Sequence, residues 1–283
     1  MRAEPNQSST AAPGSQHTVL TRLGPLAVRR HEGSGPWLVL WHSLFLDGRS
    51  WDRVLPALTR LRSVLVIDGP CHGDSPGPMR RFSLDECADA ALEVLDHFGV
   101  SCTDWIGNAW GGHVGAVLAA RHPSRITRLV AISSPMQALR PAERLRLGLL
   151  ATIFRIVGWR HWLVRAVVDA LVLPSAPADV KRYVADAAQA PGAARTQLAM
   201  RSVMFGRPSL VERLASIEAP TLFITTADDT LWPPSLARAH ADRLQRGRLE
   251  LVEGARHIPP LEAPDTIAEL LVDWLTTGES RTR

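Results

Sequence analysis

The chain has 283 residues, 46% of them hydrophobic, enough to bury a large core in one α/β domain or in a domain carrying a sizeable insertion. The net charge is +4, but the excess is almost all arginine spread along the chain; no Lys/Arg block is interleaved with aromatics, which argues against a nucleic-acid surface. Three cysteines, Cys71, Cys87 and Cys102, make no CxxC and no metal spacing, so neither a disulfide framework nor a metal site is expected, and free thiols suit a reducing cytoplasm.

Residues 1–16, MRAEPNQSSTAAPGSQ, are polar and lack the apolar run of a signal peptide; they read as a disordered tail. Beyond them, short apolar runs alternate with helical patterns, the mark of βαβ units on a parallel sheet. LAVRRHE reads as an early strand, and WLVLWH (37–42) and SVLVID (63–68) as buried strands with little polar alternation. SWDRVLPALTRL, lying between those two, has helical spacing. A helix is expected from Ser83, with acidic residues in its first turn and Gly99 as its stop. TDWIG and ITRLVAISS are predicted strands around the helix GGHVGAVLAARHP. From 135 to 214 the patterns are helical only, punctuated by Pro141, Gly158, Pro174, Pro177, Pro191 and Gly192. Strand–helix alternation then resumes with TLFITT, SLARAHADRL, RLELVEG and TIAELLVDWL. The expected organisation is a core of 17–134 and 215–278 holding a mostly parallel eight-stranded sheet, with 135–214 as a helical lid over the sheet's carboxyl edge. The most apolar stretch, Leu145 to Leu173, is broken by Arg146, Arg155, Arg160, Arg165 and Asp169, which argues against a membrane span.

Four segments carry the chemistry. His42-Ser43-Leu44-Phe45 is followed by Trp51 and Pro56. Asp68-Gly69-Pro70-Cys71-His72-Gly73-Asp74-Ser75 forms a second loop, and Gly107-Asn108-Ala109-Trp110-Gly111-Gly112 a third. Glu253-Gly254-Ala255-Arg256-His257 is followed by Glu262, Ala263 and Pro264. In this order they resemble the α/β-hydrolase superfamily, in its lidded, lipase- and esterase-like branch, over residues 20 to 275. The third segment lies on the G-x-S-x-G-G elbow, where a strand turns sharply into a helix and projects one strained side chain. Gly107 and Gly111 supply the room for that turn.

The resemblance implies Ala109 at the nucleophile position, His257 as general base, and the amides of Leu44 and Trp110 as the oxyanion donors. It places the acid after TLFITT, with Thr226 standing where glycine is usual. The spacing favours Asp229, and Asp228 is the alternative. His42 and His72 are expected to be structural hydrogen-bonders. Ser43, Trp110, His113 and Trp232 are the expected neighbours of the substrate, and Arg256 stands beside the base. The apolar lid points to a greasy small-molecule substrate, and the chemistry calls for no cofactor.

Alanine cannot attack a carbonyl. Either Ala109 replaces a serine and leaves an intact pocket that holds unreacted substrate, or alanine is native. In the second case an Asp229–His257 dyad would serve non-hydrolytic proton transfer, or the chain would only bind a ligand. Ser43 and Cys71 also stand where glycine is usual; Cys71 as a substitute nucleophile is a poor candidate, because its loop should lie off the elbow and nothing nearby would lower its pKa.

Overall fold

The computed structural model describes residues 14–277. Eight strands form one sheet: β1 (Ser15–Thr21), β2 (Gly24–His31), β3 (Trp37–Trp41), β4 (Ser63–Ile67), β5 (Thr103–Asn108), β6 (Ile126–Ile132), β7 (Thr221–Thr226) and β8 (Gly247–Val252). Their spatial order is β1-β2-β4-β3-β5-β6-β7-β8. The β1–β2 hairpin and β2 on β4 are antiparallel, and every other pairing is parallel. This is the mostly parallel eight-stranded sheet expected from the alternation. The tail expected to reach residue 16 is corrected here: Ser15 and Gln16 already pair with Arg30 and Arg29 in the hairpin. Most of that tail, and residue 278, lie outside the described residues.

Ten helices are described among these residues: α1 (Leu55–Leu58), α2 (Leu84–His97), α3 (Trp110–Arg121), α4 (Pro141–Val157), α5 (His161–Leu171), α6 (Ala178–Gln189), α7 (Ala193–Ala199), α8 (Pro234–Ala241), α9 (Pro259–Glu262) and α10 (Pro264–Thr277). Ser83 starts α2 with a reciprocal capping box: Glu86 N–H donates to Ser83 Oγ at 3.1 Å, and Ser83 N–H donates to Glu86 Oε2 at 3.0 Å. The SWDRVLPALTRL pattern gives less helix than its spacing promised. It forms a 3₁₀ turn, Gly48–Trp51, and the single turn of α1, because Pro56 and the anchoring of Trp51 leave no room for a longer run.

Helices α2, α3 and α8 cover one face of the sheet, and α1 and α10 the other, giving two apolar layers. Helix α3 lies between the sheet and α2, which is why it is buried from Trp110 to Ala119 instead of showing one apolar stripe. The chain between β6 and β7 forms α4 to α7 and two further short turns. None of the described helices is long and apolar enough to cross a membrane.

At the amino edge of the sheet, Asp104 accepts a hydrogen bond from Arg62 Nε at 2.9 Å and one from Arg128 at 3.3 Å; the first pair is fully enclosed. Arg62 also donates to the carbonyls of Leu61 and Leu275, tying β4, β5 and α10 together. Removing one partner of a buried ion pair strands the other charge and costs about 3–5 kcal/mol. Asp104→Ala is therefore expected to lower the unfolding free energy by an amount of that size, read as a drop in the urea midpoint at unchanged m-value.

Candidate active site

The strand-to-helix corner is built around Ala109, at φ 48° and ψ −105°, a left-handed region costly for any residue with a Cβ. Its N–H donates to the Ile132 carbonyl at 2.7 Å, and its carbonyl accepts from His113 N–H at 3.1 Å in the first turn of α3. The corner closes only because its glycines are bare. A Cβ on Gly107 would sit 2.0 Å from the Gly111 carbonyl carbon, and one on Gly111 would sit 2.1 Å from the Trp41 carbonyl oxygen. The Trp105 indole donates to the Gly111 carbonyl at 2.9 Å and braces the turn from below. The strain is thus imposed by the surrounding fold and held at residue 109, where the side chain is a methyl.

His257 lies in the loop between β8 and α9. Its Nδ1 donates to Asp229 Oδ2 at 3.0 Å, while Asp229 Oδ1 accepts from the N–H groups of Leu231 and Trp232 at 2.9 and 3.1 Å. Burial alone would raise the Asp229 carboxyl, but the His257 charge, its N–H and those two amides outweigh it and hold the group below the usual carboxylate range. Asp228 is exposed, so of the two neighbouring acids only Asp229 meets the imidazole. The elbow and the histidine loop are joined through Asn108, whose amide donates to the Ile132 carbonyl at 3.0 Å and the His257 carbonyl at 3.2 Å. Ala109 and His257 are only 6% and 5% exposed.

The loop after β3 is held by two neutral imidazoles. His42 Nδ1 donates to the Ser43 carbonyl at 2.7 Å, and its Nε2 accepts from Gly69 N–H at 2.8 Å. His72 Nδ1 donates to the Pro70 carbonyl at 3.0 Å, and its Nε2 accepts from Phe45 N–H at 3.3 Å, where Phe45 has φ 73°. Burial lowers both pKa values, that of His72 to about 3, so neither ring carries charge at neutral pH. The Trp110 ring packs edge-on against His42 and tilted against His72, at 5.4 and 5.1 Å. The loop bearing Leu44 and the first residue of α3 therefore meet through these rings. Trp110 opens α3, so its N–H is one of the first-turn donors that no helical carbonyl reaches.

The other expected neighbours of a substrate are all buried or bonded within the protein, and His113 lies near enough to His257 to feel its charge. The Trp110 side chain is buried among Trp41, His42, His72 and the bare α-carbon of Gly69. Trp232 is wholly enclosed against Phe223 and donates to His240 Nδ1 at 3.0 Å. Both indoles are core side chains, because the turns that carry them direct them under the sheet's carboxyl edge. Ser43 is buried, its hydroxyl 3.4 Å from the Leu44 carbonyl. His113 contacts the Pro135 carbonyl through Nε2 at 2.9 Å; burial and the Arg207 charge keep it neutral. Arg256 turns its guanidinium to the Asp169 carbonyl. Cys71 has φ 67° and its buried thiol is pushed up to about 11, the wrong direction for a nucleophile. Iodoacetamide on the folded protein, followed by peptide mass mapping, is expected to modify exposed Cys102 and to spare buried Cys71 and Cys87. Among the described residues no group of three or more His, Cys, Asp or Glu side chains could hold a metal.

Several connections have no signature in the sequence. His257 N–H donates to the Leu171 carbonyl at 3.0 Å, so the end of α5 is bonded directly to the histidine loop. Glu262 accepts from Leu173 N–H at 2.7 Å and from Arg256 N–H at 2.9 Å, bridging the same two segments. Tyr183 on α6 donates to Asp47 Oδ1 at 2.9 Å, with Arg49 bound to the same carboxylate. Glu262 follows His257 at a suggestive spacing, but a backbone acceptor such as Leu171 leaves no trace in residue type. Ser133, at φ 48° and fully buried at the end of β6, was also missed; its hydroxyl has no hydrogen-bond partner.

Comparison with known proteins agrees with this fold. Residues 38–270 match the model of the alpha/beta hydrolase family. The pimeloyl-[acyl-carrier protein] methyl ester esterase of Neisseria meningitidis serogroup B (strain H44/76) is 27% identical over 249 residues, covering 84% of this chain and 92% of that protein. The 2-hydroxymuconate semialdehyde hydrolase of Pseudomonas sp. (strain CF600) is 28% identical over 256 residues, 88% of this chain and 86% of that protein. A hydrolase from Pseudomonas aeruginosa PA01 superposes with a TM-score of 0.82 at 27% identity, covering 96% of this chain and all of that one. With the strained elbow, the Asp229–His257 pair and a family match spanning most of its length, the chain belongs to the alpha/beta hydrolase family.

Proposed function

We propose that this chain is built to act on an ester, thioester or related activated carbonyl of an apolar substrate, and that with alanine at 109 it binds that substrate without covalent turnover. The observation that supports this reading most strongly is the elbow itself: Ala109 is kept in a strained conformation, and its neighbour Asn108 is bonded to the carbonyl of His257, whose imidazole meets Asp229. Backbone strain that the surrounding fold over-determines in this way clusters at functional sites.

In the serine form, Oγ of residue 109 attacks the carbonyl carbon while His257 Nε2 takes its proton. Asp229 fixes the tautomer with the proton on Nδ1. The Trp110 and Leu44 amides take the charge developing on the carbonyl oxygen. The alkoxide or thiolate then leaves with the proton from His257, and water repeats the sequence to release the acid. Residues 135–214 act as a cap: the Leu171–His257 and Tyr183–Asp47 bonds hold this segment against both sides of the site. The near-complete burial of Ala109 and His257 means that substrate enters when the cap moves. The test is Ala109→Ser assayed on p-nitrophenyl esters of graded chain length, alongside the alanine protein.

A second reading keeps alanine as the working residue, with the dyad as general base for a non-hydrolytic reaction. It is favoured by the intact, buried Asp229–His257 pair, which simple ligand binding does not need. Failure of Ala109→Ser to gain activity on esters and thioesters would favour it.

A further inference from the structure

Helix α4 presents apolar side chains on its outer as well as its inner side. Ala151 and Phe154 are buried, with Phe154 against Trp159 at 4.7 Å, and α7 packs alongside. Yet Leu145, Leu149 and Ile156 are 78%, 63% and 76% exposed. Spacings of four and seven place these three within about 40° of one another around the helix, roughly opposite Phe154. The row is flanked by exposed arginines, Arg144 and Arg155 on one side and Arg146 on the other. Arg160, Arg165 and Trp162, the last 46% exposed, continue the same character onto α5. The acidic side chains of the two helices are few. Glu143 caps α4 by accepting from Arg140 N–H, and Asp169 lies 3.7 Å from Arg165.

Such a row calls for a covering, and its chemistry selects one. A second copy of this face would set arginine against arginine across a two-fold axis. Leucines and a tryptophan flanked by guanidiniums, on a helix about 25 Å long, match a helix lying in the headgroup plane of an anionic bilayer. We propose that the outer ridge of α4, together with Trp162, docks this protein onto anionic lipid surfaces. The inference stands apart from the chemistry at residue 109.

The experiment is co-sedimentation of the full chain with vesicles of phosphatidylcholine alone and of phosphatidylcholine mixed with phosphatidylglycerol. Binding is expected to the mixed vesicles and to weaken as salt is raised, since each arginine near an anionic leaflet multiplies partitioning about fivefold. Leu149→Glu/Ile156→Glu is expected to cut partitioning at least about tenfold, because it places two charges where apolar side chains enter the lipid. The single variant Leu145→Glu, at the most exposed position of the ridge, is expected to fall in the same direction and guards against any misfolding of the double variant. Thermal unfolding by circular dichroism should match the parent for both. No binding to the mixed vesicles would overturn the proposal, as would equal binding to both compositions or binding unchanged in the ridge variants. A dimer in light scattering that the ridge variants dissolve would overturn it in favour of self-association.

Discussion

Ala109→Ser is expected to turn this chain into an esterase, raising kcat on an apolar p-nitrophenyl ester by about 10⁶. That factor corresponds to roughly 8 kcal/mol of barrier. The substitution adds one oxygen to a Cβ already at φ 48° and ψ −105°, so no backbone rearrangement is required. Asp229 occupies His257 Nδ1 and leaves Nε2 to take the hydroxyl proton. The expected course is a burst of one p-nitrophenolate per chain followed by slower turnover, with a phosphonate probe leaving a mass adduct on residue 109. Neither burst nor adduct over the whole ester series would mean that the elbow is not a nucleophile position in this protein.

In that serine background, Asp229→Asn is expected to lower kcat by about 10⁴ while leaving KM nearly unchanged. An asparagine can still accept from Leu231 and Trp232 through its carbonyl, so the turn after β7 should survive. What it cannot do is accept from His257 Nδ1–H. Its amide donates instead, drives the ring proton to Nε2, and removes the lone pair that must take the hydroxyl proton. A matching rise in KM, or an unchanged kcat, would show that the carboxylate only shapes the loop. His257→Ala in the same background is the control, with loss of turnover at retained ligand binding.

The position of residue 109 was readable before any coordinates. An elbow needs small residues on both sides of the projecting side chain, and Gly107 and Gly111 announce this within five positions. The same holds for the helix start at Ser83–Glu86 and for the apolar runs that became β3 to β8. Each depends on interactions between near neighbours, where residue type and spacing are the whole of the physics. The β1 strand was less legible: Ser15–Thr21 is polar at its start and takes strand form by pairing with β2 in a hairpin.

The choice between Asp228 and Asp229 needed the fold, since adjacent carboxylates are chemically equal until one is buried against an imidazole and the other left in water. So did the fate of Trp110 and Trp232, whose position beside the motif does not reveal that their rings turn inward. The bonds that seat the helical segment join residues far apart in the chain; Tyr183 and Asp47 are separated by 136 positions, and the Leu171 acceptor is a backbone carbonyl. By itself, then, the sequence determined the sheet-and-helix alternation and the elbow, and singled out His257 with two neighbouring candidate acids. Only the tertiary structure decided which acid meets His257, where the indoles go and how α5 and α6 are bonded to the loops carrying His257 and Asp47, because those contacts depend on distances across the fold that no local pattern encodes.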